Sequence, residues 1–290
     1  MMIPERIALW PGVAPGSEGL TLAERIDESS PEPDAFHDRS VCGVTVPSLE
    51  VLRPQIANRA SILLAPGGAY SRVVFDKEGS EIARWLTTLG FTVFVLKYRL
   101  PGEGHAQQSD VPLQDAQRAI RLIRAQADDW TLDADRIGVM GFSAGGHLAA
   151  SLVTRHQQNV YVQVDGADVL SARPDFAILI YPVINMRAPL VHAGSRLALL
   201  GDAPSAEQLG TYSCDEQVRT DAPPHFISVG ADDAVVPVAN SLSYYQALLA
   251  AGVSAELHVF EHGEHGHAIR FAQGPVGAWT RLLASWLATR

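Results

Sequence analysis

Cysteine is almost missing from this chain: 290 residues contain two, Cys42 and Cys214. A disulfide framework is thereby excluded as the support of the fold, and a single Cys42–Cys214 bridge stays open. No uninterrupted apolar run approaches the roughly 20 residues that cross a bilayer, so no membrane partner is expected. Basic excess is also lacking. The 22 Lys and Arg face 32 Asp and Glu, a formal net charge of −10 with a pI near 5.4. That balance argues against the basic surface that nucleic acid or an anionic membrane requires. The opening residues, MMIPERIALWPG, have neither the basic start nor the apolar core of a signal peptide. The chain therefore reads as cytoplasmic, or as periplasmic or secreted if a leader has been trimmed away. Internal repeats, low-complexity tracts and linker-like stretches are absent too, which favours one domain over residues 1–290. Oligomeric state is not legible.

What is present is an ordinary globular composition, 47% apolar and 19% charged, long enough to bury a substantial core. Residues 1–40 hold eight Asp or Glu against three Arg, half of the acidic surplus. With Gly12, Gly16, Gly19, Pro31 and Pro33 nearby, this segment reads as an N-terminal arm laid over the surface. From residue 60 onward, short β-branched apolar runs alternate with stretches of helical period, the pattern of βα units around a mostly parallel sheet. Buried strands are predicted at 61–65 (SILLA), 91–97 (FTVFVLK), 136–141 (RIGVMG), 176–181 (FAILIY), 225–230 (HFISVG) and 255–260 (AELHVF). The run 44–52, interrupted by Pro47, suits an edge strand or hairpin. Helices are expected at about 79–89, 113–123, 144–155, 238–251 and 276–288. In 113–123, Ala116, Ala119, Ile120 and Ile123 share one face and Arg118, Arg121 and Arg124 lie largely on the other. Residues 156–175 and 184–224 show no clear period and read as excursions bordering a ligand crevice at the carboxyl ends of the strands.

The sharpest chemical signal is Gly141-Phe142-Ser143-Ala144-Gly145, directly after a predicted strand and directly before a predicted helix. A serine on such a tight turn is exposed and strained, and small neighbours let helix and strand backbones approach. The dinucleotide pattern G-x-G-x-x-G does not occur in this stretch. Serine is a poor nucleophile at neutral pH and needs a base oriented by a carboxylate. In this architecture acid and base should follow in that order along the chain. After HFISVG come Asp232 and Asp233, which compete: one carboxylate orients the histidine while the other caps the helix starting near Val238. After AELHVF come His262, His265 and His267, of which the glycine that follows favours His265. A metal site using His258, His262, His265 and His267 is the rival reading, and it is disfavoured because strand and loop residues provide no helical i, i+4 ligand pair. The loop 65–70 (APGGAY) after SILLA can turn its NH groups toward a developing oxyanion, with the NH of Ala144 beside them.

With these residues in place, the chain resembles the α/β-hydrolase fold enzymes. More narrowly it resembles esterases near the hormone-sensitive lipase group and the carbohydrate-acetyl esterases, the acetylxylan or feruloyl esterase type. The carriers run from about residue 8 to 287: IALWPGVAPG, LLAPGGAY with DKEG at 76–79, FVLKYRLP, PLQDAQRAIRLIR, DRIGVMGFSAGGHLA, GADDAVVP with Asn240-Ser241, and GEHG. The resemblance implies an α/β-hydrolase fold, Ser143 as nucleophile, Asp233 as acid through Asp-x-x-Val-Pro, and His265 as general base. It implies Gly68, Ala69 and Ala144 as the oxyanion hole and no metal or organic cofactor. Pro66 and Ala69 replace the first His and last Gly of the His-Gly-Gly-Gly found in many relatives, and His267 stands where many carry Phe. Tyr70 is open between lining the acyl or leaving-group pocket and plain packing. Asp115, Arg118 and His147 read as structural. The implied activity is removal of short acyl groups, acetyl above all, from a small-molecule or oligosaccharide ester such as acetylated xylooligosaccharides. A general short-chain carboxylesterase, an amidase or formamidase, and a non-catalytic binding protein of the same fold are the alternatives.

Overall fold

The computed structural model describes residues 5–290. Its strands are β1 (Glu5–Ala8), β2 (Arg25–Glu28), β3 (Arg39–Cys42), β4 (Ser48–Leu52), β5 (Ser61–Ala65), β6 (Val73–Val74), β7 (Thr92–Lys97), β8 (Ile137–Phe142), β9 (Phe176–Ile180), β10 (His225–Gly230) and β11 (Ala255–Phe260). Its α-helices are α1 (Glu81–Thr88), α2 (Val111–Ala125), α3 (Ser143–Arg155), α4 (Ala193–Leu200), α5 (Ala206–Thr211), α6 (Ala239–Ala250) and α7 (Trp279–Leu287). Eight strands form one sheet in the order β1-β4-β7-β5-β8-β9-β10-β11. The pairs on both sides of β4 are antiparallel and the rest are parallel. This is the α/β-hydrolase fold.

The strands β5, β8, β9 and β10 are buried at every position and mostly apolar because both faces are covered. Along β5, Leu63 packs with residues of α2 and α3, whereas Ile62 and Leu64 pack with residues of α1 and α7. Alternation of side chains across the pleat accounts for the two sets. β2, β3 and β6 make a separate small antiparallel sheet.

Several expectations need correction. Residues 5–14 are not a surface arm: β1 pairs with β4 as the outermost strand of the main sheet, and Leu9, Trp10 and Ala14 are buried. Trp10 donates its indole NH to Asp115 at 2.9 Å, and Asp115 also accepts from the Arg99 backbone NH and guanidinium. Arg99 and Asp115 are both fully buried. Such a pair is costly to desolvate and damaging to break, so it commits the N-terminal segment to one docked position. The strand in 44–52 is not an edge, because β1 lies outside it. It begins at Ser48, after Pro47, so the proline's missing NH costs the ladder nothing.

The segment 156–175 does not border the carboxyl ends of the strands. It connects the end of α3 to the start of β9, at the opposite end of the sheet, and runs along α2. The arginine face of α2 is therefore covered: Arg118 binds Asp165 and Asp168, Arg121 binds Leu170 O and Tyr161, and Arg124 binds Ala134 O, Arg173 O and Asp175. The segment 184–224 does follow the carboxyl end of β9. It holds two helices unseen in the sequence, α4 and α5, each of eight residues or fewer and too short for a readable period. Cys42 and Cys214 are both free thiols, Cys42 on β3 and Cys214 buried beside α3.

Candidate active site

Ser143 begins α3 immediately after β8, with φ +51°. That left-handed conformation is costly for a residue with a side chain and is characteristic of a serine held on a sharp strand-to-helix turn. The turn closes only because Gly145 has no side chain: a Cβ there would run into the carbonyl oxygens of Ala65 and Pro66. The same contact presses the loop after β5 against the start of α3.

Three loops at the carboxyl ends of β8, β10 and β11 bring Ser143, Asp233 and His265 together. Ser143 Oγ lies 2.8 Å from His265 Nε2, and His265 Nδ1 lies 2.7 Å from Asp233 Oδ2. A carboxylate only accepts, so Nδ1 carries the proton and Nε2 presents its lone pair to the serine hydroxyl. Asp233 Oδ1 accepts from the backbone NH groups of Val235 and Val236 at 2.9 and 2.8 Å, which fixes the carboxylate's orientation. Asp232 points elsewhere. It accepts from Gly263 N at 2.8 Å and pairs with exposed His262. Among the histidines considered as metal ligands, each ring has a different partner: His258 pairs with Glu256, His262 with Asp232, His265 with Asp233, and His267 with the Glu264 carbonyl.

The loop after β5 runs through left-handed conformations at Ala69 and Tyr70, φ +56° and +59°, after Gly68 at +130°. Neither Gly68 nor Ala69 donates its NH to a backbone or side-chain acceptor among the described residues. Ala144 sits in the first turn of α3, where helix geometry leaves NH groups without an intrahelical acceptor. Tyr70 lines a small pocket with His147 and Tyr212. It is 1% exposed, its ring packs edge-on against Tyr98, and its hydroxyl lies 2.7 Å from His147 Nδ1.

His147 is buried and its Nε2 lies 2.7 Å from the Tyr212 carbonyl. Burial depresses its pKa to about 4, as it does for His225 beneath α6. Both are neutral in the folded protein. Because the unfolded chain binds a proton at each near pH 6.5, their contribution to stability is complete above that value and is lost as pH falls toward 4. The loss amounts to about 3 kcal/mol each once both states are protonated. The melting temperature is expected to fall steeply between pH 6.5 and 4, before ordinary carboxylates titrate; a flat profile over that interval would contradict it.

Three further residues shape the site without standing out in the sequence. Asn240 at the start of α6 is fully buried, accepts from the NH groups of Ile184 and Asn185 at 3.0 Å and donates to Leu190 O. It pins the loop after β9 that borders the crevice. Tyr181, with φ +38°, directly follows β9 and lays its ring 4.9 Å from that of His265 and 4.7 Å from that of His267. Glu78 is buried beneath the loop after β5. Asn240 and Glu78 both lie within motifs that carried the resemblance, and that membership was the available signal, since their burial is visible only in the fold.

The BD-FAE family profile matches residues 53–248, more than half of the chain. The chain belongs to the BD-FAE family. This BD-FAE member is 34% identical over 217 residues to an acetylxylan esterase from Xylanibacter ruminicola, covering 73% of this chain and 42% of that protein. It is 36% identical over 208 residues to endo-1,4-beta-xylanase B from Butyrivibrio fibrisolvens, covering 72% of this chain and 32% of that protein. The chain thus spans less than half the length of either curated relative. A solved structure of an acetyl ester-xyloside bifunctional hydrolase from Caldicellulosiruptor lactoaceticus superposes with a TM-score of 0.80 at 34% identity, covering 99% of this chain and 96% of that one. Among the described residues, no helix is long and apolar enough to cross a membrane.

Proposed function

We propose that this BD-FAE member is a serine carboxylic ester hydrolase that removes acetyl groups from a carbohydrate such as acetylated xylooligosaccharides. The observation that carries the reaction class is the continuous relay from Ser143 Oγ through His265 to Asp233 at 2.8 and 2.7 Å. In the proposed reaction His265 Nε2 takes the serine proton as Oγ attacks the ester carbonyl. The NH groups of Gly68, Ala69 and Ala144 receive the oxyanion. Asp233 holds the imidazolium, which gives the proton to the sugar oxygen as its bond to the acyl carbon breaks, so that the sugar leaves as an alcohol. Water, deprotonated by the same histidine, then releases acetate from Ser143.

The substrate class rests on the acetylxylan and acetyl ester-xyloside relatives. It fits an open flank beside the base: a cavity of about 610 Å³ is lined by His265 together with Lys77, Asp232, Phe271 and Gln273. Ser143 and the loop of Gly68 and Ala69 are not among its walls, so the cavity is room beside the base and not an acyl pocket.

The reading is tested by comparing acetate release from acetylated xylooligosaccharides with hydrolysis of p-nitrophenyl esters of increasing acyl length. Expected are efficient release from the acetylated sugar and a steep fall in rate beyond short acyl chains. Indifference to acetylated sugar alongside brisk p-nitrophenyl butyrate hydrolysis would indicate a general short-chain carboxylesterase.

A further inference from the structure

Glu78 is an unusual residue to find beneath this site. It lies on the short turn Asp76–Ser80 after β6, is 4% exposed, and among the described residues has no cation within hydrogen-bond distance. Burial without a paired cation raises its pKa and makes the residue costly to keep. Its two oxygens serve two different parts of the site. Oε2 accepts the backbone NH of Gly67 at 2.8 Å, immediately before Gly68 and Ala69. Oε1 accepts the hydroxyl of Tyr181 at 3.0 Å, and the Tyr181 ring packs against His265.

The fit is close. A Cβ on Gly67 would lie 2.6 Å from Glu78 Oε2 and 3.0 Å from Ser143 Cβ, so glycine is what allows the carboxyl, the loop and the nucleophile to meet. Ala69 and Tyr70 adopt left-handed conformations just beyond. Such conformations persist only where surrounding bonds over-determine them, and the Gly67–Glu78 bond is one of the side-chain anchors of this loop, with Tyr98 on Pro66 O, Ser71 on Gly68 O and Tyr70 on His147.

We infer that Glu78 is a positioning residue that couples the two halves of the site, setting the loop of Gly68 and Ala69 through Gly67 and the ring of His265 through Tyr181. The inference rests on the reading of Ser143 and His265 given above. What it requires of residue 78 is a hydrogen-bonding partner at both points, an acceptor for the Gly67 NH and either an acceptor or a donor for the Tyr181 hydroxyl. An amide satisfies this, because its oxygen receives the Gly67 NH and its NH₂ donates to a reoriented Tyr181 hydroxyl.

The test uses Glu78→Ala, Glu78→Gln and Tyr181→Phe, with p-nitrophenyl acetate as substrate and the low-field NMR resonance of the His265 Nδ1 proton as a reading that needs no substrate. Glu78→Ala is expected to lower kcat by roughly 10²-fold, the scale of a lost oxyanion donor or a misplacement near 1 Å, with KM little changed. Its Nδ1 resonance should broaden or vanish. Glu78→Gln should recover kcat to within about fivefold of wild type and keep the resonance, whereas Tyr181→Phe should lower kcat roughly tenfold and broaden it. A folded Glu78→Ala protein with wild-type kcat and resonance overturns the inference, as does Glu78→Gln as impaired as Glu78→Ala. If Glu78→Ala does not fold, wild-type kcat and resonance in Tyr181→Phe overturn it instead. A wild-type protein that hydrolyses no ester would sink the proposed reaction and leave the resonance to decide the coupling.

Discussion

Ser143→Ala is expected to lower kcat for p-nitrophenyl acetate by about 10⁶-fold, to near the level supplied by the oxyanion donors and binding alone. The size follows from the mechanism: without Oγ there is no acyl-enzyme, and His265 loses the hydroxyl 2.8 Å away whose proton it takes. KM should change little, since the hydroxyl contributes mainly to the transition state. Stability should change little as well, because the left-handed backbone at residue 143 is already that of a residue with a Cβ. A burst experiment offers a second check. Wild type should show a rapid release of one p-nitrophenolate per enzyme if deacylation is slow, and the variant none. Retention of even a hundredth of the wild-type rate would mean that another nucleophile, or no covalent intermediate at all, carries the reaction.

The second large effect separates two adjacent carboxylates. Asp233→Asn is expected to lower kcat by about 10⁴-fold. An amide at this position would present a donor or a weak acceptor to His265 Nδ1, favouring the tautomer whose Nε2 carries hydrogen and cannot take the serine proton. Asp232→Asn should leave kcat within severalfold of wild type. Its carboxylate holds Gly263 N and exposed His262, and an asparagine oxygen can still accept from that NH. Steady-state kinetics on the two variants, with thermal melts to confirm folding, decides the matter. Equal losses in both would mean that the loop after β10 matters as a unit.

The reason the neighbours differ so strongly is geometric. Both lie in the turn after β10, and the bend formed when Asp233 accepts the NH groups of Val235 and Val236 aims its second oxygen at His265. Residue spacing leaves Asp232 and Asp233 as rivals, and the matched Asp-x-x-Val-Pro motif selects Asp233. The histidine loop places His265 Nδ1 2.7 Å from Asp233 Oδ2, which supports that choice.

What could be read from the chain alone is what short-range physics controls. Predominantly apolar runs marked β5, β7, β8, β9 and β10 because a strand covered on both faces has no solvent-facing side. The glycine-flanked Ser143 was legible because a strand-to-helix turn that tight admits few other residues. Tertiary structure decided everything that depends on which distant segments meet. Ser143 and His265 are 122 residues apart and touch only because the strand order sets β8 near β10 and β11. The N-terminal segment has the composition of a loop, yet Trp10 is buried because Asp115, 105 residues later, holds its indole NH. Tyr70 sits beside the site in sequence but faces His147 behind it. Glu78 shows no function in its local pattern, and acquires one from Gly67 and from Tyr181, 103 residues away. Hydrophobic periodicity is a property of neighbours along the chain, whereas the burial and pairing of a polar group depend on what the fold brings against it.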